Sequence, residues 1–308
     1  MDKKAFIIIV TYNGVNWIEK CLKSTAGFPV IVIDNNSTDK TVEIIKEKFP
    51  EVELSCQDSN LGFGAANNIG ISQAYKKGAE HFFLLNQDAY LEAQSLEKLI
   101  KIQKEHSDYG VISPIHLNGK GNRLDQYFSN YLNYKANPDF YSDFVLNKEK
   151  ADIYEVPFVN AAGWLISRAA IEEVGGFDPL FFHYGEDDNY CQRLQYHNFK
   201  IGVVPNTYIL HDREDRDVVN YLSRSNGSLK FMERQLKLRF ANVNLDDISG
   251  LENQINSKKS QRNKNILKLK FEKASIIKKE IEMLLRLRED IIKSRKKNIQ
   301  TGTNHLDI

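Results

Sequence analysis

A short polar run after an apolar segment is the first place in this sequence where chemistry could occur. Residues 82–85 read Phe-Phe-Leu-Leu, and Asn86, Gln87 and Asp88 follow them directly. Four apolar residues are typical of a buried strand, and ligands bind at the carboxyl ends of such strands. Because divalent cations prefer oxygen ligands and share them with phosphates, Asn86 and Asp88 are candidates for a metal–diphosphate site. The same residues also fit an ordinary turn after a strand.

Three consecutive carboxylates, Glu186, Asp187 and Asp188, form a second candidate site. They follow an aromatic segment at residues 181–184. Repulsion among neighbouring carboxylates raises the pKa of at least one of them, and a raised pKa suits a general base. The alternative is structural, because acidic side chains also stabilise the amino-terminal end of a helix.

Short apolar runs alternate with helix-like segments along the first part of the chain. This order predicts an α/β fold with a mostly parallel sheet and helices on both faces. Each early strand ends in oxygen-bearing side chains, which we expect to meet at one edge of the sheet. The strands predicted here are 5–10, 30–33, 53–56, 82–85 and 109–115.

The pattern is less regular further along the chain. Residues 117–155 mix aromatic with polar side chains, which fits either a mobile segment over a site or a packed insertion. A strand is predicted at 156–167, with a break at small residues. Two short strands are predicted at 201–204 and 207–210, and the second ends at His211.

The composition predicts a soluble globular protein. Hydrophobic residues make up 42% and charged residues 27% of the chain. The three cysteines, Cys21, Cys56 and Cys191, lie far apart, which argues against disulfides or a thiolate zinc site and favours a reducing compartment. The apolar run at 5–10 is too short for a signal peptide, and no run reaches transmembrane length. We therefore expect a cytoplasmic location.

The charge of the chain is unevenly distributed. Residues 255–297 contain 15 Lys and Arg against 5 Asp and Glu, whereas the rest contains 27 basic and 36 acidic residues. The main body therefore does not predict a nucleic-acid-binding surface. The basic part fits one or two amphipathic helices, which would contact the inner face of the membrane, dock on the body or mediate homo-oligomerisation. We expect a main domain at 1–220, a helical extension at 221–297 and a disordered tail at 298–308.

Taken together, six motifs in this order resemble the family 2 inverting glycosyltransferases with a GT-A fold, in particular the rhamnosyltransferase branch. The resemblance covers about residues 5–215. Its motifs are VTYNG at the first strand, VIDNNSTD, NLGFGAANN, LLNQDA, GWLISR with GGFD, and GEDDNYCQR with a distant histidine. It implies a GT-A-type, Rossmann-like sheet followed by a helical extension.

The resemblance implies a set of residues that bind the nucleotide-sugar. Asp34 has a chemical reason to belong to it, because a carboxylate can accept the imide N–H of uracil or thymine, although a helix-capping acid is the alternative. The two glycines of the set also fit structural turns. The implied nucleotide-sugar-binding residues are Thr11, Tyr12, Asn13, Asp34, Asn60, Gly62, Gly64, Asn67, Asn86 and Gln87.

The resemblance also implies a metal site that holds Mn²⁺ or Mg²⁺. Asp88 and His211 match the family's metal ligands, and an imidazole ligand suits Mn²⁺ better than Mg²⁺. The sequence departs from the family pattern at Asn86, where an acid is usual. An amide oxygen carries no charge, so Asp88 is the stronger candidate of the two.

Asp187 matches the family's catalytic base, which takes the proton of an acceptor hydroxyl during a single inverting displacement. Trp164 could stack on a sugar ring, but it fits a core position as well. Arg193, on the helix after Asp187, could pair with the acids or contact a phosphate. The implied acceptor-binding residues are Ala162, Gly163, Trp164 and Glu186.

The function implied is transfer of a hexosyl group, with dTDP-rhamnose one candidate donor. The donor would be a UDP- or dTDP-sugar, and the acceptor a glycan or lipid-linked acceptor in bacterial surface polysaccharide synthesis. Asn86 leaves room for a second class, a catalytically silent GT-A module that binds nucleotide-sugar or glycan. A nucleotidyltransferase would require a glycine-rich, lysine-containing phosphate loop near the N-terminus, and Tyr12, Asn13 and Gly14 do not form one.

Overall fold

The computed structural model of the chain describes residues 4–213 and 229–308. Its strands are β1 (Ala5–Thr11), β2 (Val30–Asp34), β3 (Glu53–Cys56), β4 (His81–Asn86), β5 (Ala89–Leu91), β6 (Tyr109–Asn118), β7 (Tyr154–Glu155), β8 (Gly163–Ser167) and β9 (Lys200–His211). Its helices are α1 (Ile18–Ser24), α2 (Thr41–Lys48), α3 (Phe63–Lys76), α4 (Ser95–Glu105), α5 (Gln126–Tyr131), α6 (Pro138–Val145), α7 (Arg168–Glu173), α8 (Glu186–Tyr196), α9 (Leu229–Phe240), α10 (Ser249–Leu267) and α11 (Phe271–Asn298).

The described strands form one nine-stranded sheet. The order is β3-β2-β1-β4-β8-β6-β9-β5, and β7 pairs with β9. The first four strands of this order are parallel, as predicted from the strand–helix alternation. β8 runs antiparallel to both β4 and β6, so the second half of the sheet is mixed. The predicted α/β fold class is confirmed.

Helices cover both faces of the sheet because alternate residues of each buried strand point to opposite sides. Ile8 of β1 packs in one core with side chains of α3, α7 and α8. Its neighbours Ile7 and Ile9 pack in a second core with side chains of α1, α2 and α4. Strands buried on both faces explain why the early runs are continuously apolar rather than alternating.

The later strands differ from their predicted bounds. The strand expected at 156–167 occupies only β8, since the small residues before Gly163 form a loop. The two strands expected at 201–210 are one strand, β9, whose pairing with β6 shifts register after Pro114. The irregular segment 117–155 contains α5, α6 and β7, so it is a packed insertion.

The described residues divide into two units. One consists of residues 4–213 with Thr301–Ile308, and the other of residues 229–300. The second unit contains α9, α10 and α11, in keeping with the expected helical extension. The boundary expected at 220/221 lies outside the described residues.

The last eight residues differ from the disordered tail that we expected. The amide of Gly176 donates to the carbonyl of Asn304 (2.8 Å), and the amide of Asp307 donates to Ser72 Oγ (3.1 Å). Leu306 packs against the core of the first unit. Terminal position suggested disorder, whereas backbone hydrogen bonds and one apolar anchor hold the segment in place.

Candidate active site

A pocket of about 530 Å³ opens at the sheet edge where β1, β2 and β4 end. Parallel register places Thr11 beside Asp34 and Val10 beside Asn86. The predicted site residues that line the pocket are Tyr12, Asn60, Gly62, Asn86, Gln87, Asp88, Ala162, Glu186, Asp187 and His211. Those outside its lining are Thr11, Asn13, Asp34, Gly64, Asn67, Gly163 and Trp164.

Gln87 ties the end of β4 to the loop after β1. Its Oε1 accepts hydrogen bonds from Thr11 Oγ1 (2.6 Å) and from the amide of Tyr12 (3.0 Å). Its Nε2 donates to the carbonyl of Tyr12 (3.2 Å). The middle residue of the Asn-Gln-Asp run therefore holds Tyr12 at the pocket wall.

Asn13 and Asp34 organise the loops behind this wall. The amide of Asn13 donates to Ser37 Oγ (2.9 Å), and Asn13 Oδ1 accepts from the amide of Thr38 (2.9 Å). Asp34 Oδ2 accepts from the amide of Ser37 (3.0 Å), which is the turn-forming role that the sequence left open. The other carboxylate oxygen, Oδ1, is buried and has no hydrogen-bond partner among the described residues. It remains able to accept a ligand N–H.

Asn35 is a pocket residue that the sequence analysis missed. Its amide group donates to Asn60 Oδ1 (3.0 Å), and its Oδ1 accepts from the amide of Leu61 (2.8 Å). Gly62 has a φ of +83°, and a Cβ atom there would lie 2.0 Å from the carbonyl oxygen of Phe182. Glycine is therefore required where the loop before α3 meets the loop before α8.

Gly64 and Asn67 have structural roles. A Cβ atom on Gly64 would lie 2.9 Å from Cβ of Phe177, so this position allows close packing. Asn67 is buried in α3, and its amide group donates to the carbonyl of Phe63 (2.9 Å). They became candidates because they belong to the NLGFGAANN motif that carries the family resemblance.

Asp88 and His211 come together through the pairing of β5 with β9. Ala89 lies opposite His211, and the amide of Asp212 donates to the carbonyl of Asp88 (2.8 Å). The distance from His211 Nε2 to Asp88 Oδ1 is 3.7 Å, and both side chains are almost fully buried at the pocket. Neither ring nitrogen of His211 has a hydrogen-bond partner in the described part of the chain.

These two residues fit a divalent cation that takes further ligands from its substrate. Residues 4–213 and 229–308 contain no group of three His, Cys, Asp or Glu side chains able to hold a metal ion. Two protein ligands beside an open pocket suit Mg²⁺ or Mn²⁺, because such ions commonly take phosphate oxygens and water as well. Asn86 also lines the pocket and could supply a neutral oxygen.

Asp187 lies in the first turn of α8, directly after Gly185 and Glu186. Its half-buried carboxylate lines the pocket, and Oδ1 accepts from the amide of Asp188 (2.9 Å). Burial raises the pKa of Asp187 above its usual value, and this effect outweighs the opposing backbone hydrogen bonds. A carboxylate with a raised pKa is a better proton acceptor near neutral pH.

The acceptor-binding residues predicted around Trp164 need correction. Ala162 lines the pocket, together with Asn160 and Ala161, which the sequence analysis did not select. Trp164 is fully buried and stacks on Phe177 at 6.2 Å. Residues 163 and 164 belong to β8, whose side chains enter the cores, so the indole is a core group rather than a sugar platform.

Arg193 also belongs to the core. It is fully buried, and its guanidinium donates to the backbone carbonyls of Val174 and, at 2.6 Å, Gly176. A phosphate contact by this residue is therefore wrong. Helical spacing alone could not show that the side chain points away from the pocket.

Arg213 is the cation that does line the pocket. Its Nε donates to Asp125 Oδ2 (2.8 Å), its Nη2 donates to the other carboxylate oxygen, and the guanidinium lies 4.4 Å from the ring of Tyr127. Tyr131 from α5 and the 182–184 loop complete the wall near Asp187. The aromatic residues of segments 117–155 and 181–184 were noted in the sequence, whereas Arg213 was not selected there.

The arrangement defines a class of protein. Polar side chains at the sheet edge, the Asp88–His211 pair and the half-buried carboxylate of Asp187 line one pocket, an arrangement that could serve an enzyme acting on a nucleoside-diphosphate substrate. The family model described as Glycosyl transferase family 2 matches residues 6–175. The chain belongs to this family and is a glycosyltransferase.

Similar proteins include rhamnosyltransferases. The dTDP-rhamnosyl transferase RfbF of Shigella flexneri is 25% identical over 231 residues, which cover 71% of this chain and 72% of that protein. The N-acetylglucosaminyl-diphospho-decaprenol L-rhamnosyltransferase of Mycobacterium tuberculosis is 23% identical over 245 residues, covering 70% and 80%.

Solved structures show the same fold. The complex of S. aureus TarS residues 1–349 with UDP-GlcNAc has a TM-score of 0.54 at 19% identity, covering 80% of this chain and 68% of that one. The structure of GalNAc-T7 with UDP, GalNAc and Mn²⁺ has a TM-score of 0.52 at 18% identity, covering 68% and 43%. The predicted GT-A fold is therefore confirmed.

Proposed function

We propose that this chain is an inverting glycosyltransferase that uses a UDP- or dTDP-sugar to extend a surface polysaccharide. The main support is that the Asp88–His211 pair and Asp187 line the same pocket. A donor diphosphate could then be held while a base acts on the acceptor. The rhamnosyltransferases among its relatives favour a dTDP-rhamnose donor and a glycan or lipid-linked acceptor.

The nucleotide would occupy the β1–β2 side of the site. Tyr12, Asn35 and Asn60 line this side, and Gln87 holds Tyr12 in position. Asp34 lies behind this wall, outside the pocket lining, and its buried Oδ1 would accept the imide N–H that uracil and thymine share. This chemistry would favour UDP or dTDP over a cytosine nucleotide, which has no imide N–H.

Asp187 would act as the general base. Its carboxylate takes the proton of an acceptor hydroxyl while the acceptor oxygen forms a bond to the anomeric carbon. The bond from that carbon to the diphosphate oxygen breaks, and its electron pair leaves with the nucleoside diphosphate. One displacement inverts the anomeric configuration.

Asp88 and His211 would hold a Mn²⁺ or Mg²⁺ ion, with Asn86 as a further oxygen donor. A bound cation offsets the negative charge that develops on the leaving diphosphate. The Nε2 atom of His211 supports this role, because it faces Asp88 at 3.7 Å and has no hydrogen bond among the described residues, while Nδ1 faces Asp125 Oδ2 at 3.8 Å.

Thermal unfolding with UDP, dTDP, GDP and CMP, each with and without Mn²⁺, tests the donor site. A ligand at about one hundred times its Kd stabilises the folded state by about 2.7 kcal/mol. We expect a shift for UDP or dTDP that depends on Mn²⁺. No shift with any of the four nucleotides would rule out the proposed donor site.

Turnover separates the enzyme from a silent binding module. Release of UDP or dTDP from the matching sugar nucleotide, dependent on an added acceptor, is expected for the wild type and not for Asp187→Asn. If the wild type binds the nucleotide but transfers no sugar to any glycan or lipid-linked acceptor offered, the silent-module alternative gains support.

A further inference from the structure

The second unit contains a helical hairpin whose two arms run antiparallel. Arg288 pairs with Glu252 at 2.5 Å, and Lys258 pairs with Glu280 at 2.6 Å. The later residue of α10, Lys258, thus pairs with the earlier residue of α11, Glu280, which shows that the two helices are antiparallel. The two helices are joined by residues 268–270.

Far from the turn, the apolar side chains of the hairpin are buried. Leu251 and Ile255 of α10 are almost fully buried, as are Leu284, Leu287 and Ile291 of α11. The amphipathic stripe that the sequence predicted is therefore used in packing within this unit. It is not available as one long face for a membrane or a partner.

The end of the hairpin at the turn shows the opposite pattern. We call residues 264–278 the hairpin tip. Leu267 is 84% exposed, Leu269 75%, Phe271 61% and Ile276 60%. Single exposed apolar residues are ordinary on protein surfaces, but a cluster of large ones marks an interaction site.

The same tip is strongly cationic. Residues 264–278 contain five lysines and one acidic residue, Glu272. Four exposed lysines alternate with the apolar residues, and they are Lys264, Lys268, Lys270 and Lys273. A partner for this surface must accept apolar side chains and positive charges within a few residues of each other.

We propose that the hairpin tip inserts into the surface of an anionic phospholipid membrane. The leucines and Phe271 would enter the boundary between headgroups and acyl chains, while the lysines meet lipid phosphates. A second copy of the tip fits less well, because like charges would face each other. Within the described ranges, no helix is long and apolar enough to span a membrane.

Vesicle flotation tests the proposal without donor or acceptor, so it succeeds or fails independently of the proposed function. The vesicles are phosphatidylcholine alone or mixed equally with phosphatidylglycerol. The wild type should bind the anionic vesicles and be released as salt rises from about 0.1 M to about 1 M. It should bind the neutral vesicles far less.

Two variants test separately the apolar and the electrostatic contributions to vesicle binding. One combines Leu267→Ser, Leu269→Asn and Phe271→Ser, with Asn at 269 because φ there is +53°. It should lose more than about tenfold in binding, because burying one Leu side chain contributes at least that much. The other, Lys268→Gln with Lys270→Gln and Lys273→Gln, should lose binding to anionic vesicles specifically.

The control variant is Val145→Ser with Leu146→Ser, which removes two similarly exposed apolar side chains (79% and 63%) from the first unit. It should bind vesicles as the wild type does. Equal binding by the wild type and the apolar variant, or no binding to anionic vesicles, overturns the proposal. Dimerisation without lipid that the apolar variant abolishes would instead assign the tip to a second copy of the chain.

Discussion

At the scale of single residues, the environment of Asp187 distinguishes it from Asp188. It lines the pocket and has a pKa raised by burial, whereas Asp188 does not line the pocket. Asp187→Asn keeps the shape of the side chain and removes the base. We expect turnover to fall at least about a hundredfold with nucleotide binding retained, measured by product release and by nucleotide-dependent thermal shift.

The raised pKa of Asp187 also predicts the pH dependence of activity. The base must be ionised, so kcat should fall on the acid side with an apparent pKa above the ordinary aspartate value of about 3.9. A pH–rate profile of the wild type measures this limb. A profile that stays flat down to the ordinary aspartate value would contradict the assignment of Asp187.

The Asp187→Asn substitution should raise the stability of the fold, although it lowers activity. A pKa that is higher in the folded than in the unfolded state means that ionised Asp187 destabilises the fold at neutral pH. Asp187→Asn should therefore unfold at a higher temperature than the wild type at pH 7. The difference should shrink as the pH falls through the raised pKa, because the wild-type side chain then becomes neutral too.

Asp88 gives a second prediction at this scale. Asp88→Asn should abolish the Mn²⁺-dependent part of the nucleotide shift, and a chelator should have the same effect on the wild type. Asp108→Asn is a suitable control, since Asp108 forms a surface ion pair with Lys200 at 2.9 Å outside the pocket. If Asp88→Asn still responds to Mn²⁺ as the wild type does, Asp88 is not a ligand.

At the scale of elements, the C-terminal segment and α8 hold the same turn from two sides. Tyr190 of α8 donates to the carbonyl of Gly175 (3.1 Å), and the tail accepts from the amide of Gly176. Asn68 of α3 donates to the carbonyls of Phe177 (2.8 Å) and His305 (3.2 Å). A Cβ atom on Gly176 would lie 2.5 Å from Leu306, which explains a small residue there.

Removal of residues 301–308 should therefore destabilise the first unit. The partly buried Leu306 side chain and the lost hydrogen bonds predict a cost of roughly 1–3 kcal/mol, measured by urea unfolding. Asp307→Asn is the matched control. Its ion pair with Lys76 is fully exposed on the aspartate side, so the change should be within about 0.5 kcal/mol. A truncated chain as stable as the wild type would show that the tail only rests on the surface.

At the scale of the whole molecule, the proposed catalytic site and the proposed membrane contact lie in parts of the chain with opposite charge. The acidic part of the sequence contains the site, and the cationic part contains the hairpin tip. If both proposals hold, the tip variant should transfer sugar normally to a water-soluble acceptor. Its rate on a vesicle-embedded acceptor should fall about tenfold or more, because surface binding raises the effective concentration of the acceptor. Equal losses on both acceptors would point to damage within the enzyme instead.

Local patterns in the sequence were enough to predict the fold class and part of the site. Buried parallel strands leave continuous apolar runs, and their polar ends identify one sheet edge, which is why Asn86 and Asp88 could be predicted to lie at a site, whereas Asp187 was predicted from the run of three carboxylates and the family resemblance. The family resemblance identified His211, which strand-end position alone could not distinguish from a surface histidine.

Other features depended on contacts between residues that are distant in the chain. Trp164 and Arg193 looked like site residues, and only packing shows that both are buried in the core. Arg213 reaches the pocket because Asp125, 88 positions earlier, holds its guanidinium. The order of the last eight residues likewise comes from partners in α3 and the Gly175–Gly176 turn. Side-chain direction and burial are set by the assembled sheet and helices, so no local pattern encodes them.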